Sequence, residues 1–118
     1  GVQMKLLEEY NGVKVGDYII GHGRNDGILL TTIEDYGNGY PIFECENNVR
    51  LRFYAKECKK WIPKDGEWCC FSNYEDCTPV VAQFLIKEKD EYLANVSDGN
   101  GCITLKGFKY CKPFNFKR

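Results

Sequence analysis

Apolar and polar positions alternate over short stretches of this chain, as they do in β-strands with one buried face and one wet face. The clearest case is 49–53, where apolar side chains alternate with two arginines. Two longer runs, 28–33 and 80–86, are rich in β-branched and aromatic residues. Polar turns that contain glycine or asparagine separate such runs. The pattern therefore predicts an all-β chain built from short strands.

The same pattern predicts five strands in each half of the chain. They are 17–22, 28–33, 40–46, 49–53 and 59–62 in the first half, and 67–72, 80–86, 92–97, 102–105 and 111–116 in the second. A single helical turn is predicted before the last strand of each half, at 54–58 and 106–110. One or two helical turns are also predicted at 5–10, before Asn11-Gly12 ends them.

The two halves share similar sequence blocks in the same order. Residues 14–20 and 64–70 both read Lys-x-Gly-acid-aromatic-apolar-apolar, fifty positions apart. The other blocks are 29–33 with 80–84 at an offset of fifty-one, Tyr40 with Tyr92 at fifty-two, and 56–61 with 109–114 at fifty-three. The offset grows by single steps in predicted loops, as it does in diverged duplicates. Duplication is therefore favoured over chance similarity.

The glycine-acid-aromatic openings at 16–18 and 66–68 resemble those of SH3-like and KOW-type barrels, where glycine allows the turn into the first long strand. Five short strands with a helical turn before the last also resemble the SH3-like strand plan. The resemblance implies two tandem SH3-like five-stranded barrels with short helical turns. Residues 1–12 would be an N-terminal extension, 13–62 the first SH3-like repeat and 63–118 the second.

Residues 63–114 also resemble small uncharacterised proteins of phages and mobile elements, which implies a habitat and no activity. The chain differs from peptide-binding SH3 domains in one respect. It has no acidic, aromatic-rich loop of the usual kind after the first strand. The resemblance therefore implies a fold without a known ligand.

The C-terminal segment is the candidate binding region. Sixteen basic and seventeen acidic residues leave no overall positive charge to hold nucleic acid. Residues 102–118, however, contain five basic residues and no acidic residue. Aromatic residues lie between these cations, an arrangement that can stack on bases or fill an acidic groove of a protein. A solvated strand face with core aromatics is the simpler interpretation. The candidate binding residues are Lys106, Phe108, Lys109, Tyr110, Lys112 and Phe114.

No constellation of residues predicts catalysis. His22 is the only histidine and lies in a glycine-flanked loop, which lacks the fixed position that a general base needs. Paired carboxylates such as Glu34-Asp35 and Asp90-Glu91 fall in predicted turns, where solvated charges are usual. We therefore predict that the protein is not an enzyme.

The seven cysteines do not have the spacing of a structural zinc site. Cys69 and Cys70 are adjacent and would point to opposite faces of a strand. Cys58 and Cys111 fall at equivalent places in the two halves, which suggests small core residues. An odd count and irregular spacing favour free thiols in a reducing cytosol over disulfides. No metal ion and no cofactor are predicted.

The first functional hypothesis is a non-enzymatic, cytoplasmic binding module that acts through protein–protein contacts. Inhibition of host machinery by a phage or mobile-element protein is a special case of it. The alternative is a nucleic-acid-binding KOW-like adaptor that uses the basic, aromatic C-terminal segment. No membrane contact is expected, because the apolar runs are too short to span a bilayer. Exposed edge strands leave both a monomer and a dimer open.

Overall fold

Strands make up almost all of the regular structure, in a computed structural model that describes residues 3–74 and 78–114. The helical content of these ranges is one 3₁₀ turn, Ala55–Glu57. The chain divides into two compact units, Gly1–Trp61 (the first unit) and Ile62–Arg118 (the second unit). The prediction of an all-β chain is confirmed.

The first unit is built on an antiparallel sheet in the order β7-β6-β5-β4-β8, with β1 also paired to β5. A separate hairpin joins β2 to β3. Its strands are β1 Lys5–Leu7, β2 Glu9–Tyr10, β3 Val13–Lys14, β4 Tyr18–Ile20, β5 Ile28–Asp35, β6 Ile42–Glu46, β7 Arg50–Tyr54 and β8 Lys59–Lys60. The core consists of fully buried side chains from β4, β5 and β6, among them Ile19, Leu30 and Phe43.

The second unit is one antiparallel sheet in the order β12-β11-β10-β9-β13. Its strands are β9 Trp68–Ser72, β10 Val80–Lys87, β11 Tyr92–Ser97, β12 Ile103–Phe108 and β13 Tyr110–Pro113. Counted along the chain, this is the strand order of the first unit's main sheet. The core alternates rings with small side chains: Phe71, Phe84 and Phe108 lie among Ala82 and Ala94.

The helical turns predicted at 5–10 are wrong, because this segment forms β1 and β2. Leu7 pairs with Ile33, which extends the sheet over the core. Asn11 (φ 52°) and Gly12 (φ 78°) form the two-residue turn between β2 and β3. A six-residue helix without tertiary support is unstable in water, whereas a strand here obtains ladder hydrogen bonds and apolar contacts.

The shared Lys-x-Gly-acid block forms the same turn in both units. The Gly16 amide donates to the Leu30 carbonyl (2.9 Å), and the Gly66 amide donates to the Phe84 carbonyl (2.8 Å). An acidic side chain accepts from the lysine amide in each turn, at 2.9 Å in the first and 2.8 Å in the second. Both glycines have positive φ, 100° and 79°, which side chains disfavour. Local sequence thus determines this turn.

The pairing registers define equivalent positions in the two sheets, and they correct two of the predicted block alignments. The turn hydrogen bonds make Leu30 equivalent to Phe84. Ile33 and Lys87 each lie three residues further along the strand, so they are equivalent as well. Ile33 pairs with Phe43 and Lys87 pairs with Tyr92, which makes Phe43 the equivalent of Tyr92. The alignments of 29–33 with 80–84 and of Tyr40 with Tyr92 are each wrong by three positions. Matching apolar runs by composition does not fix their register.

The sheets are open, so the prediction of closed barrels is wrong. In the described part of the chain, no hydrogen-bonded pairing joins edge strands β7 and β8, or β12 and β13. The direction of the chain explains this for the second unit. β12 and β13 run parallel, and only Lys109 separates them. Side-by-side pairing of consecutive parallel strands needs a crossover of about a dozen residues.

The second predicted helical turn, 106–110, is also wrong. β12 continues to Phe108, which pairs with Tyr92 and is buried in the core. The Lys109 amide then donates to Asn73 Oδ1 (3.2 Å) as the chain enters β13. Burial of the Phe108 ring therefore decides the conformation here. The turn predicted at 54–58 does occur, as the 3₁₀ turn Ala55–Glu57.

Candidate binding surface

The structure does not bring the predicted C-terminal binding residues into one strip. Lys106 lies on β12, whereas Tyr110 and Lys112 lie on β13, at the other edge of the sheet. Lys106, Lys109 and Tyr110 are exposed, and Lys112 and Phe114 are half-buried. Phe108 is only 6% exposed, so its ring is not available for a surface contact. Phe116, Lys117 and Arg118 lie outside the described residues.

The side of the second unit's sheet that faces away from its core carries several apolar side chains, together with the amides Gln83 and Asn95. Directly paired residues share a face. One row of pairs runs Trp68, Gln83, Asn95, Leu105 across four strands. Trp68 is 52% exposed and Leu105 is 53% exposed. We call this side the outer face and define it by its apolar residues: Trp68, Val81, Ile86, Leu93, Ile103 and Leu105.

The corresponding side of the first unit's sheet is charged. Arg52 Nη2 lies 2.7 Å from Glu34 Oε1, and Arg50 Nη1 lies 3.7 Å from Glu44 Oε1. Thr32 Oγ1 donates to Glu44 Oε2 at 3.1 Å. A hydrogen bond with Tyr36 and the charge of Glu34 raise the pKa of Arg52 above its ordinary value. These side chains form a solvated polar ladder.

At three positions of this ladder, the second unit has an apolar residue at the equivalent place in its sheet. The registers place Ile86 where the first unit has Thr32, and Leu93 where it has Glu44. Leu105 stands at the position of Arg50. Several large apolar side chains on one face of a sheet mark an interaction site more often than single scattered ones do. The outer face of the second unit is therefore the candidate binding surface.

No family model, no curated protein and no solved structure matches this chain. The resemblance to SH3-like and KOW-type barrels thus stays a prediction. The function has to be argued from the surface chemistry of the two units.

Sequence reasoning missed the outer face, although one strand carried a signal. Residues 80–86 are apolar except for Gln83, so they lack the alternation of a strand with one wet face. A strand with apolar side chains on both faces is usually packed against other structure on both faces. In an antiparallel sheet with a core on one side, that run indicates a partner on the other. The apolar residues from the other strands join this run only through the pairing registers.

The described ranges 3–74 and 78–114 include the histidine and six cysteines, the residues that a metal site or a nucleophile would use first. They contain no group of three or more His, Cys, Asp or Glu side chains arranged to hold a metal ion. His22 is exposed in its loop. Six cysteines in these ranges are free thiols, and Cys77 lies outside them. The described ranges also have no helix with the length and apolar character to cross a bilayer.

A cavity of about 340 Å³ opens in the first unit, lined by aromatic rings and lysines. Tyr10 and Phe43 meet edge to face there, with ring centroids 6.5 Å apart. Cys58 is the cysteine in its lining, and burial raises the pKa of its thiol to about 11. A thiol that stays protonated at neutral pH is a poor nucleophile. Cys58 is therefore not an activated nucleophile in this cavity.

Thiol reactivity should follow burial. Desolvation raises the pKa of Cys45 to about 12, whereas Cys102 is exposed. At pH 8 we expect a maleimide reagent to modify Cys102 at least about a thousandfold faster than Cys45, because the thiolate is the reactive form. Timed mass spectrometry of proteolytic fragments measures both rates, with Cys102→Ser as the control. Modification of both residues at similar rates in the folded protein would contradict the core position of Cys45.

Proposed function

We propose that the protein is a non-enzymatic intracellular binding module that acts through protein–protein contacts, with the outer face of the second unit as the contact surface. The observation that supports it is the replacement of a charged ladder by apolar side chains, of which Ile86 and Leu105 are exposed and Leu93 is half-buried. Leu93 and Leu105, for example, stand where the first unit has Glu44 and Arg50. Inhibition of host machinery by a phage or mobile-element protein is one form that such binding would take.

The size of the surface fits a protein partner. Five strands about 4.8 Å apart, each with about five residues at 3.4 Å, give a face of roughly 400 Å². A standard interface takes about 800 Å² from each partner. The outer face would then be the apolar centre of the interface, and the rim would supply the rest. Half-buried Lys112 at the β13 edge is a rim candidate.

We also propose that the two units are diverged copies of one SH3-like strand plan. Their common strand order and the shared turn around Gly16 and Gly66 support this. In this proposal the first unit has kept a polar outer side, and the second unit has become the partner-binding copy. Open sheets distinguish both from a fully closed barrel.

The second candidate function is a KOW-like nucleic-acid adaptor. Lys106, Lys109 and Lys112 support it, because no acidic residue occurs between positions 102 and 114. Burial of Phe108 removes one of its stacking rings and leaves Tyr110 as the exposed one. This candidate requires binding that weakens steeply with salt.

The outer face can be tested by transferring the first unit's residues onto it. The triple variant Ile86→Thr, Leu93→Glu, Leu105→Arg places the polar ladder on the second unit's sheet. We expect it to keep the fold and to lose the protein partner captured by the unchanged protein, because binding would bury the introduced charges without partners across the interface. Affinity capture followed by titration of the purified partner measures the loss.

The matched control is Arg50→Gln, which changes the equivalent surface of the first unit. It should retain the partner, and backbone amide NMR spectra should show that both variants are folded. An undiminished affinity of the triple variant would contradict the proposal. Binding that disappears after nuclease treatment, or between about 50 and 200 mM salt, would favour the nucleic-acid adaptor.

A further inference from the structure

We propose that edge strand β12 captures an extended segment of the partner by strand addition, and that this segment alternates apolar and acidic residues. The inference rests on the proposed function, because β12 carries Ile103 and Leu105 of the outer face. It goes further by naming the backbone geometry and the chemistry of the bound segment.

In the described part of the chain, β12 is a six-residue strand at the edge of its sheet. It is the last strand in the sheet order, and β11 is its pairing partner in the described residues. The four residues from Ile103 to Lys106 are all exposed. An exposed edge presents a row of backbone donors and acceptors that an extended chain can pair with.

The equivalent edge strand of the first unit, β7, carries two charged side chains, whereas β12 carries one, Lys106. β7 carries Arg50 and Arg52, which are held by ion pairs with Glu44 and Glu34. Charged side chains on an edge strand discourage the docking of another strand. Register places Leu105 and Gly107 at the two arginine positions. The edge strand of the second unit thus lacks these two arginines, and Lys106 is the charge that it carries instead.

The two sides of β12 specify different partner side chains. Ile103 and Leu105 point to the outer face, so residues placed opposite them in an added strand would extend an apolar surface. Lys106 points to the other side of the sheet, where its same-side neighbours on β12 are Thr104 and Phe108. Cross-strand pairs of opposite charge are stabilising, so an acidic residue fits opposite Lys106. Alternation along a strand then gives an apolar–acidic–apolar segment.

The charge of Lys106 also argues against a second copy of β12 as the strand that pairs with this edge. No salt bridge of the described residues involves Lys106. The chain from 102 to 114 contains no acidic residue. A symmetric β12–β12 pair would therefore supply no carboxylate for this lysine. A partner with acidic residues does supply it.

The probe is a fluorescein-labelled peptide of alternating valine and glutamate, titrated against the full chain by fluorescence anisotropy. Two further peptides carry N-methyl groups on one or the other set of alternate amides. An added strand pairs through one edge only, so we expect one methylated peptide to lose at least about tenfold in affinity and the other to bind normally. If both methylated peptides bind normally, or if both lose affinity equally, the proposal of strand addition is wrong.

Charge reversal supplies an independent arm. Lys106→Glu should weaken binding of the valine–glutamate peptide by about tenfold and strengthen binding of a valine–lysine peptide. The control Lys89→Glu reverses an exposed lysine of the second unit outside the strands and should change neither affinity. Equal effects of the two reversals would mean that only net charge matters, and the assignment to β12 would be wrong.

The two proposals fail in different ways. If the unchanged protein does not bind the peptide up to about 1 mM, while the triple outer-face variant still loses its partner, strand addition is wrong and the outer face stands. If the peptide binds with the expected methylation pattern, but the triple variant keeps its protein partner, the outer-face proposal is wrong. Concentration-dependent self-association that Lys106→Glu changes and Lys89→Glu does not would assign β12 to a dimer and overturn the inference.

Discussion

Replacing Phe71 by Ala is expected to lower the free energy of unfolding of the second unit by about 3–5 kcal/mol. The Phe71 ring is completely buried and lies 5.4 Å, centroid to centroid, from the Phe108 ring. Its small core neighbours, Ala82 and Ala94, cannot expand into the space that the ring leaves. A domain of roughly 60 residues has a small margin of stability, so this loss should unfold much of the unit.

Amide hydrogen exchange measures this loss for the second unit separately, because it reports on individual backbone amides. Tyr74→Ala is the control, since this side chain is 69% exposed and its removal should change the free energy of unfolding by no more than about 0.5 kcal/mol. A cost below about 1 kcal/mol for Phe71→Ala would mean that the ring is not the centre of the core.

The second large effect is expected for Gly21→Ala, which should cost about 1–3 kcal/mol in the free energy of unfolding through overpacking. Gly21 is buried, and a Cβ atom there would lie 2.6–2.8 Å from three ring carbons of Phe53. Phe53 pairs with Phe43 on the core side of the first unit, which limits the room for its ring to move. The glycine is thus required by close packing.

Gly107→Ala provides the matched control for the same measurement. A Cβ atom at Gly107 would meet the end of the Glu91 side chain, which is flexible and can turn towards water. We therefore expect a loss below about 0.5 kcal/mol, typical of surface substitutions. Thermal or urea unfolding of the two variants measures the difference. Equal losses would show that the Phe53 ring adapts as readily as a surface carboxylate.

Strand positions followed from the sequence where the signal was local. The alternation at 49–53 corresponds to β7 Arg50–Tyr54, and the apolar run at 80–86 corresponds to β10 Val80–Lys87. Errors occurred where long-range contacts decide the conformation. Residues 5–10 are strand because Leu7 pairs with Ile33, and 106–108 are strand because Phe108 packs in the core.

The candidate site shows the same division. Sequence reasoning selected Phe108 because aromatic and basic residues alternate from Lys106 to Lys112, yet the ring faces the core. Residues such as Trp68 and Leu105 are far apart in the chain, and each alone is as suitable for a core as for an interface. Only the row that joins them across four strands identifies a surface.

The sequence by itself determined the all-β class and the turn at each Lys-x-Gly-acid block. These features depend on side-chain alternation and on backbone preferences within a few residues, which every short segment carries with it. The tertiary structure alone decided the pairing registers, the open edges and the contrast between a charged and an apolar outer side. A strand's period of two separates its faces, but it does not say which neighbour pairs with it or which face is left uncovered.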